Sequence, residues 1–202
     1  MSSKQKLIFF IDYSKVTGRG HLNRCLHFLK NFNYKNITFV TEDKIKLKGI
    51  KNINVKLDSF KDFSIKYDIG IIDSYSVNSD FEKKISKICK KVIVIDDLCK
   101  RKFYCDFIIN YDPYVTREKY RKFTGKKTRL LLGYKYNFIH ERNKNHKNVF
   151  IKKKKYNLLI YFGTKNRSKF IQNQILSRIY PFKNKIGKIV ILSKYKFVFK
   201  SL

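Results

Sequence analysis

The chain lacks several features that mark particular classes of protein. Its 202 residues include no Trp and two Pro, and 15 acidic residues stand against 47 Lys and Arg. No apolar run approaches the roughly 20 residues of a membrane-spanning helix. The first apolar run, residues 7–11, is also too short for the core of a signal peptide. We therefore expect a cytoplasmic protein with no membrane span.

Cysteine is scarce, and its spacing argues against a zinc site. Cys25, Cys89, Cys99 and Cys105 form no Cys-x-x-Cys pair. Cys25 and Cys89 fall on the apolar faces of predicted helices, so we expect reduced thiols packed in a core, in a reducing compartment. We predict no metal site and no cofactor.

The excess of basic residues gives a formal net charge of +32, which ordinarily suggests nucleic acid or an anionic surface as a partner. Here the lysines are spread over nearly every segment, which is typical of a compositional bias. With 43% hydrophobic residues the chain is expected to fold. We predict no specific nucleic-acid partner, only weak, salt-sensitive adhesion to polyanions.

What the sequence does contain is a series of short, β-branched apolar runs, as in parallel sheets covered on both faces. Residues 78–90 have helical spacing behind Asn78 or Ser79 as the N-cap, which predicts a crossover helix. We interpret residues 1–142 as an α/β domain. Its predicted strands are residues 7–11, 37–40, 69–72, 92–95, 107–109 and 130–132.

The sequence changes character at residues 143–155, which are polar and basic and end in four lysines. We interpret them as an interdomain linker. Residues 156–202 then restart the pattern and predict a partial C-terminal nucleotide-binding domain, short of a complete dinucleotide-type fold. Its pieces are a strand at 158–162, a loop at 163–167, a helix-like run to 179 and a strand at 188–192.

The first candidate site lies between the first strand and the helix that follows it. Gly18 and Gly20 let the backbone turn tightly and approach a ligand, and His21 falls in the first helical turn. Backbone amides and the positive helix end attract anions there, and they favour a neutral imidazole that can accept a proton from water. Arg24, one turn on, faces either the same anion or solvent.

Polar residues also follow the later strands. Asp73, Ser74 and Tyr75 follow one strand, and Asp96 and Asp97 follow the next. Each residue alone is equally explained as a helix cap or a turn residue. Because the carboxyl ends of parallel strands share one edge, we expect these positions to converge. The predicted set is Asp12, His21, Tyr75, Asp97 and Asn110.

The order of the motifs carries a resemblance to a known family. The motifs are Asp12-x-Ser14, Gly18-x-Gly20-His21-x-x-Arg24-Cys25-Leu26, Asp73-Ser74-Tyr75, Ile93-Val94-Ile95-Asp96-Asp97-Leu98, Cys105-Asp106-Phe107-Ile108-Ile109-Asn110, Leu131-Leu132-Gly133-Tyr134-Lys135-Tyr136 and Tyr161-Phe162-Gly163-Thr164. Together they resemble the UDP-2,4-diacetamido-2,4,6-trideoxy-β-L-altropyranose hydrolases of pseudaminic acid biosynthesis. Those enzymes are similar to two-domain GT-B glycosyltransferases but transfer the sugar to water.

The resemblance implies an α/β, GT-B-like fold with one Rossmann-like parallel-sheet domain and an incomplete second α/β domain. It also implies a UDP-sugar substrate. His21 matches the family's catalytic histidine and Tyr75 a substrate-contacting tyrosine, and Asp12 is a further catalytic candidate. The substrate-binding candidates are Ser14, Gly18, Gly20, Arg24, Asp97, Asn110, Gly163 and Thr164.

The chain departs from the family in three places. Phe10 stands where an arginine often precedes Asp12, and residues 139–142 replace a Leu-Arg-Pro-Glu motif. The glycine-rich loop and glutamate that hold uridine and ribose in the family lie beyond the end of this sequence. We therefore expect a separate polypeptide as a partner that completes the C-terminal domain. The alternatives are a non-catalytic remnant that binds sugar nucleotides, a GT-B glycosyltransferase and, last, a nucleic-acid-binding protein.

Overall fold

The computed structural model describes residues 5–14, 17, 19–30, 36–138, 156–161 and 169–192. The chain divides into two compact units, Met1–Asn143 and Lys144–Leu202, and each is described by itself. The predicted linker, residues 143–155, lies outside the described residues, as do the predicted site residues Gly18, Gly163 and Thr164.

The first unit is built on a parallel sheet of seven strands. The strand order is β3-β2-β1-β4-β5-β6-β7, so the direction of strand addition reverses beside β1. This is the order of a Rossmann-like α/β fold, which confirms the predicted fold class. The strands are β1 (Lys6–Ile11), β2 (Asn36–Thr41), β3 (Ile50–Asn54), β4 (Tyr67–Asp73), β5 (Cys89–Ile95), β6 (Phe107–Asn110) and β7 (Arg129–Leu132).

Helices cover both faces of this sheet, which explains the continuous apolar sequence of β1. Phe9 faces the helix α1 (Gly20–Lys30), which contributes buried Leu22, Cys25 and Leu29. Its neighbour Phe10 faces the other core. That core contains Phe81 and Ile85 of α2 (Ser79–Ser86) and Tyr120 of α3 (Arg117–Arg121). Successive side chains of a strand point to opposite faces, so both must be apolar where both faces are covered.

The predicted crossover helix is correct at its start and wrong at its end. Asn78 is the N-cap, and its side chain accepts hydrogen bonds from the amides of Asp80 and Phe81. The helix ends at Ser86, and Cys89 is the first residue of β5 rather than part of a helix face. No Gly or Pro stands between α2 and β5 to indicate where the helix ends. The first apolar residue of β5 also happens to fit the helical spacing, so the sequence pattern predicts a helix that is too long.

The described residues of the second unit form a strand, a helix, a 3-10 helix (Tyr180–Lys185) and a strand. The other three elements are β8 (Tyr156–Tyr161), α4 (Lys169–Ile179) and β9 (Ile186–Leu192), and the two strands pair in parallel. A two-stranded sheet is only marginally stable by itself. One apolar side chain of β8, that of Leu159, is 63% exposed. In neither unit do the described residues form a helix long and apolar enough to cross a membrane.

Candidate active site

The candidate site lies where the strand order reverses. β1 pairs with β2 on one side and with β4 on the other. In open α/β sheets, ligands bind outside the carboxyl ends of the strands at such a point. Asp12 follows β1 and Asp73 ends β4, and these two residues are joined by a backbone hydrogen bond. The first turn of α1 places His21 beside them.

His21 is held by a buried carboxylate. Its Nδ1 lies 2.7 Å from Oδ1 of Asp73, whose side chain is 1% exposed. We assign the ring proton to Nδ1, because two facing lone pairs at this distance would repel. In a neutral ring Nε2 then carries the lone pair, and Nη2 of Arg24, which lies 3.0 Å from Nδ1, donates to Asp73 rather than to the ring. No partner atom for Nε2 is found in the described parts of the chain. The arrangement presents Nε2 as a proton acceptor.

Arg24 neutralises the same carboxylate. Its Nε donates to Asp73 Oδ2 at 2.7 Å and its Nη2 donates to Oδ1. The remaining amino group, Nη1, donates to the Tyr111 hydroxyl at 2.7 Å. Burial alone would lower the pKa of Arg24, but the hydrogen bonds and charge of Asp73 outweigh it and raise the pKa. The sequence left Arg24 facing either an anion or solvent, and the structure shows it facing Asp73.

The Tyr75 ring packs against the ring of His21. The two rings meet edge to face, with centroids 4.8 Å apart. The Tyr75 hydroxyl donates to the Asp97 carboxylate, with 2.7 and 2.8 Å to its two oxygens. Burial, followed by this hydrogen bond, raises the pKa of Tyr75, so the phenol stays a neutral donor. Nη1 of Arg24 also lies 3.5 Å from Asp97 Oδ2, which joins Asp97 to the Asp73 cluster.

Asp12 contacts the loop that carries Tyr75. Its Oδ1 accepts from the hydroxyls of Ser74 and Ser76, at 2.7 and 2.9 Å. Its Oδ2 accepts from the backbone amide of Tyr75 at 2.7 Å. Four of the five residues expected to converge, namely Asp12, His21, Tyr75 and Asp97, are therefore linked by direct contacts.

Asn110 is the fifth residue of the predicted set, and its side chain is engaged elsewhere. It is buried, its Nδ2 donates to the Tyr120 hydroxyl at 2.9 Å, and its Oδ1 accepts from the Asp112 amide. The Tyr120 hydroxyl in turn donates to Asp96 at 2.6 Å. Asn110 thus joins β6 to α3 and to the end of β5, at the same edge of the sheet but outside the His21 cluster.

Two further predicted binding residues, Ser14 and Gly20, lie after β1 and at the start of α1. The Ser14 hydroxyl and the Thr17 amide and hydroxyl form a hydrogen-bonded turn after β1. Gly20 begins α1, and a Cβ added there would meet nothing within 4 Å. A side chain at position 20 is therefore not excluded by crowding.

The sequence singled out neither of the two partners that organise the site. Asp73 follows a predicted strand but is not among the predicted site residues, and none of the motifs contains Tyr111. The available signal for Asp73 was its place directly after the buried run at residues 69–72, because a carboxylate there requires a charged partner. Tyr111 gave no sequence signal beyond its position next to Asn110. Within the described residues no three His, Cys, Asp or Glu side chains are placed to hold one metal ion.

Comparison with known proteins adds one relative. An uncharacterized protein of Methanocaldococcus jannaschii is 32% identical to this chain over 158 residues. The match covers 70% of this chain and 32% of that protein, so the chain spans about a third of the length of its relative. No protein-family model matches the chain.

Proposed function

We propose that this chain is a nucleotide-sugar hydrolase that releases UDP from a UDP-linked diacetamido-trideoxy hexose. The observation that carries the proposal is the His21–Asp73 pair at the reversal of strand order. A buried carboxylate that holds one ring nitrogen of a histidine orients the other nitrogen as a base. The resemblance to the pseudaminic acid hydrolases supplies the substrate.

In the proposed reaction a water oxygen attacks the anomeric carbon. The bond from that carbon to the diphosphate oxygen breaks, its electron pair leaves with UDP, and Nε2 of His21 takes the proton of the water. Because a diphosphate is a stable anion, the leaving group requires charge stabilisation rather than a general acid. A positioned base of this kind contributes about 10²–10⁴ in rate.

The charges around His21 suit a sugar better than a diphosphate. Asp73 binds the ring, Asp97 and Asp12 bind the neighbouring Tyr75, and the guanidinium of Arg24 is already bound to Asp73 and Tyr111. Carboxylates accept hydrogen bonds from hydroxyl and amide groups and repel phosphate. We therefore propose that the first unit binds the sugar of the substrate. A cytoplasmic location belongs to the same proposal.

The test is hydrolysis of UDP-linked diacetamido-trideoxy sugars, followed by chromatographic measurement of released UDP. We expect turnover by the wild-type chain and a loss of about 10²–10⁴ in kcat for His21→Ala with the fold unchanged by circular dichroism. Full activity of His21→Ala would refute the assignment of the base.

A sugar-nucleotide-binding remnant is the second candidate. The observation that favours it is the two-stranded sheet of the second unit, whose described residues provide one strand–helix–strand repeat. Calorimetric titration with UDP and UDP-sugars separates the two candidates. Binding of a UDP-sugar without turnover indicates the remnant, and turnover that depends on His21 indicates the hydrolase.

A further inference from the structure

We propose that Asp12 is a positioning residue, which clamps the loop of residues 74–76 so that the Tyr75 ring stays against His21. The clamp is visible in the apo geometry and needs no substrate. Its consequence for turnover rests on the proposed function.

Every hydrogen bond that the Asp12 carboxylate makes within the described residues goes to three consecutive positions. The hydroxyls of Ser74 and Ser76 bind Oδ1, and the Tyr75 amide binds Oδ2. A carboxylate offers about four acceptor positions, and three are filled here. With three acceptor positions occupied by the loop, the contacts of Asp12 are those of a positioning residue.

The hydrogen bonds of Asp12 act on His21 through Tyr75, which lies in the loop of residues 74–76. With its amide fixed by Asp12, Tyr75 has its hydroxyl on Asp97 and its ring edge-on to His21 at 4.8 Å. The Tyr75 side chain is thus held at both ends, by Asp12 through the backbone and by Asp97 through the hydroxyl. Release of one end frees the ring to leave His21, although Asp73 still holds the imidazole.

Asparagine distinguishes a clamp from a catalytic carboxylate. In Asp12→Asn the amide oxygen can accept from the Tyr75 N–H, and the amide NH₂ can donate to the hydroxyl oxygens of Ser74 and Ser76. A serine hydroxyl rotates, so each serine can act as the acceptor. Asp12→Asn therefore preserves a clamp and abolishes a general base, whereas Asp12→Ala removes both.

The structural test is nuclear magnetic resonance on the full chain. In Asp12→Ala we expect exchange of the Tyr75 amide hydrogen to rise about tenfold or more. The ring resonances of His21 should move towards those of Tyr75→Ala, while Asp12→Asn keeps both close to wild type. Ser76→Ala, which removes one of the three bonds, should shift both readouts in the same direction and serves if Asp12→Ala does not fold.

The matched control is Asp62→Ala. Asp62 also holds a loop, by accepting from the amide and hydroxyl of Ser64, and it lies on the β3–β4 connection. We expect no change at Tyr75 or His21 in this variant. Unchanged Tyr75 exchange in Asp12→Ala and in Ser76→Ala would overturn the clamp.

The kinetic arm uses the same variants with a UDP-sugar. Asp12→Ala should lose about tenfold or more in kcat/KM, and Asp12→Asn should recover to within about threefold of wild type. Equal loss in both variants would show that Asp12 acts as a carboxylate and would contradict the proposal. If the wild-type chain turns over no nucleotide sugar, the proposed function fails, and the resonance measurements still decide whether Asp12 is a clamp.

Discussion

At the level of single residues, the candidate site depends on how one buried negative charge is balanced. Asp73 is fully buried and is held by Arg24, His21 and the thiol of Cys25, whose sulfur lies 3.6 Å from Oδ2. A buried carboxylate is tolerated only when it is paired and hydrogen-bonded. Arg24 is the permanent charge in this cluster, so it stabilises the fold as well as the site.

Replacement of Arg24 tests this role directly. We expect Arg24→Leu to lower the free energy of unfolding by about 3–5 kcal/mol, because it leaves Asp73 buried without its cation. Arg24→Lys should lose less, since the charge remains and only the paired hydrogen bonds are lost. Urea titration of the three proteins measures both differences. Equal stability of Arg24→Leu and wild type would contradict the role assigned to Arg24.

The four thiols should differ in reactivity. All four are free; Cys25 and Cys89 are buried, whereas Cys99 and Cys105 are partly exposed, and burial raises the pKa of Cys105. Burial raises the pKa of Cys89 to about 12 and the pKa of Cys25 well above its ordinary value, so neither is a thiolate at pH 8. Titration with a disulfide reagent should label Cys99 fastest, and Cys25 and Cys89 only on unfolding. Cys99→Ser should remove the fast phase; rapid labelling of Cys25 in the native protein would contradict this order.

At the level of elements, the sequence predicted most of the strands because fully apolar runs of this length have few alternatives in an α/β chain. It missed β3 because this outer strand has only two apolar residues, Ile50 and Ile53, which two polar residues separate, and because it is only partly buried. It missed α3, which has five residues and one buried side chain, Tyr120. The end of α2 was misplaced because the pairing of Cys89 with Tyr67, rather than local spacing, determines where β5 begins.

The position of Cys89 leads to a prediction about β4. A Cβ added at Gly70 would lie 2.7 Å from the Cys89 sulfur and 3.1 Å from Cγ2 of Ile85. We therefore expect Gly70→Ala to lower the free energy of unfolding by about 1–3 kcal/mol through overpacking. The double variant Gly70→Ala, Cys89→Ala should recover part of this loss, which a double-mutant cycle would register as favourable coupling.

Gly125→Ala is the control for that cycle, because a Cβ there would meet nothing within 4 Å. Its stability in urea should equal or exceed that of wild type. Additive effects of Gly70→Ala and Cys89→Ala would mean that the two side chains do not compete for the same space.

At the level of the whole molecule, the fold brings the predicted strand-end residues to one edge because the strands are parallel, and this much follows from the sequence. The partners that these residues choose do not follow from it. Asp12 binds the loop of residues 74–76, and Asn110 binds Tyr120. These contacts depend on side-chain geometry, which a pattern in the sequence does not contain. The sequence therefore predicted which residues gather at this edge, and the structure adds the contacts of Asp12, Arg24 and Asn110.

The net charge of +32 gives the last prediction, which concerns the surface rather than the site. Three acidic side chains in the described part of the chain, those of Asp73, Glu82 and Asp96, are buried, and Asp73 pairs with Arg24 and Glu82 with Arg101. Basic groups therefore dominate the charge of the chain, and they should bind a polyanion according to its charge rather than its sequence.

We expect heparin to bind, and DNA duplexes of unrelated sequence to bind with equal affinity. The affinity should fall about 10³–10⁵-fold between about 50 and 200 mM salt if 6–10 contacts form. His21→Ala should bind heparin as wild type does, because the His21 side chain is mostly buried. Fluorescence anisotropy over a salt series measures both, and tight, sequence-selective DNA binding at physiological salt would instead revive a nucleic-acid function.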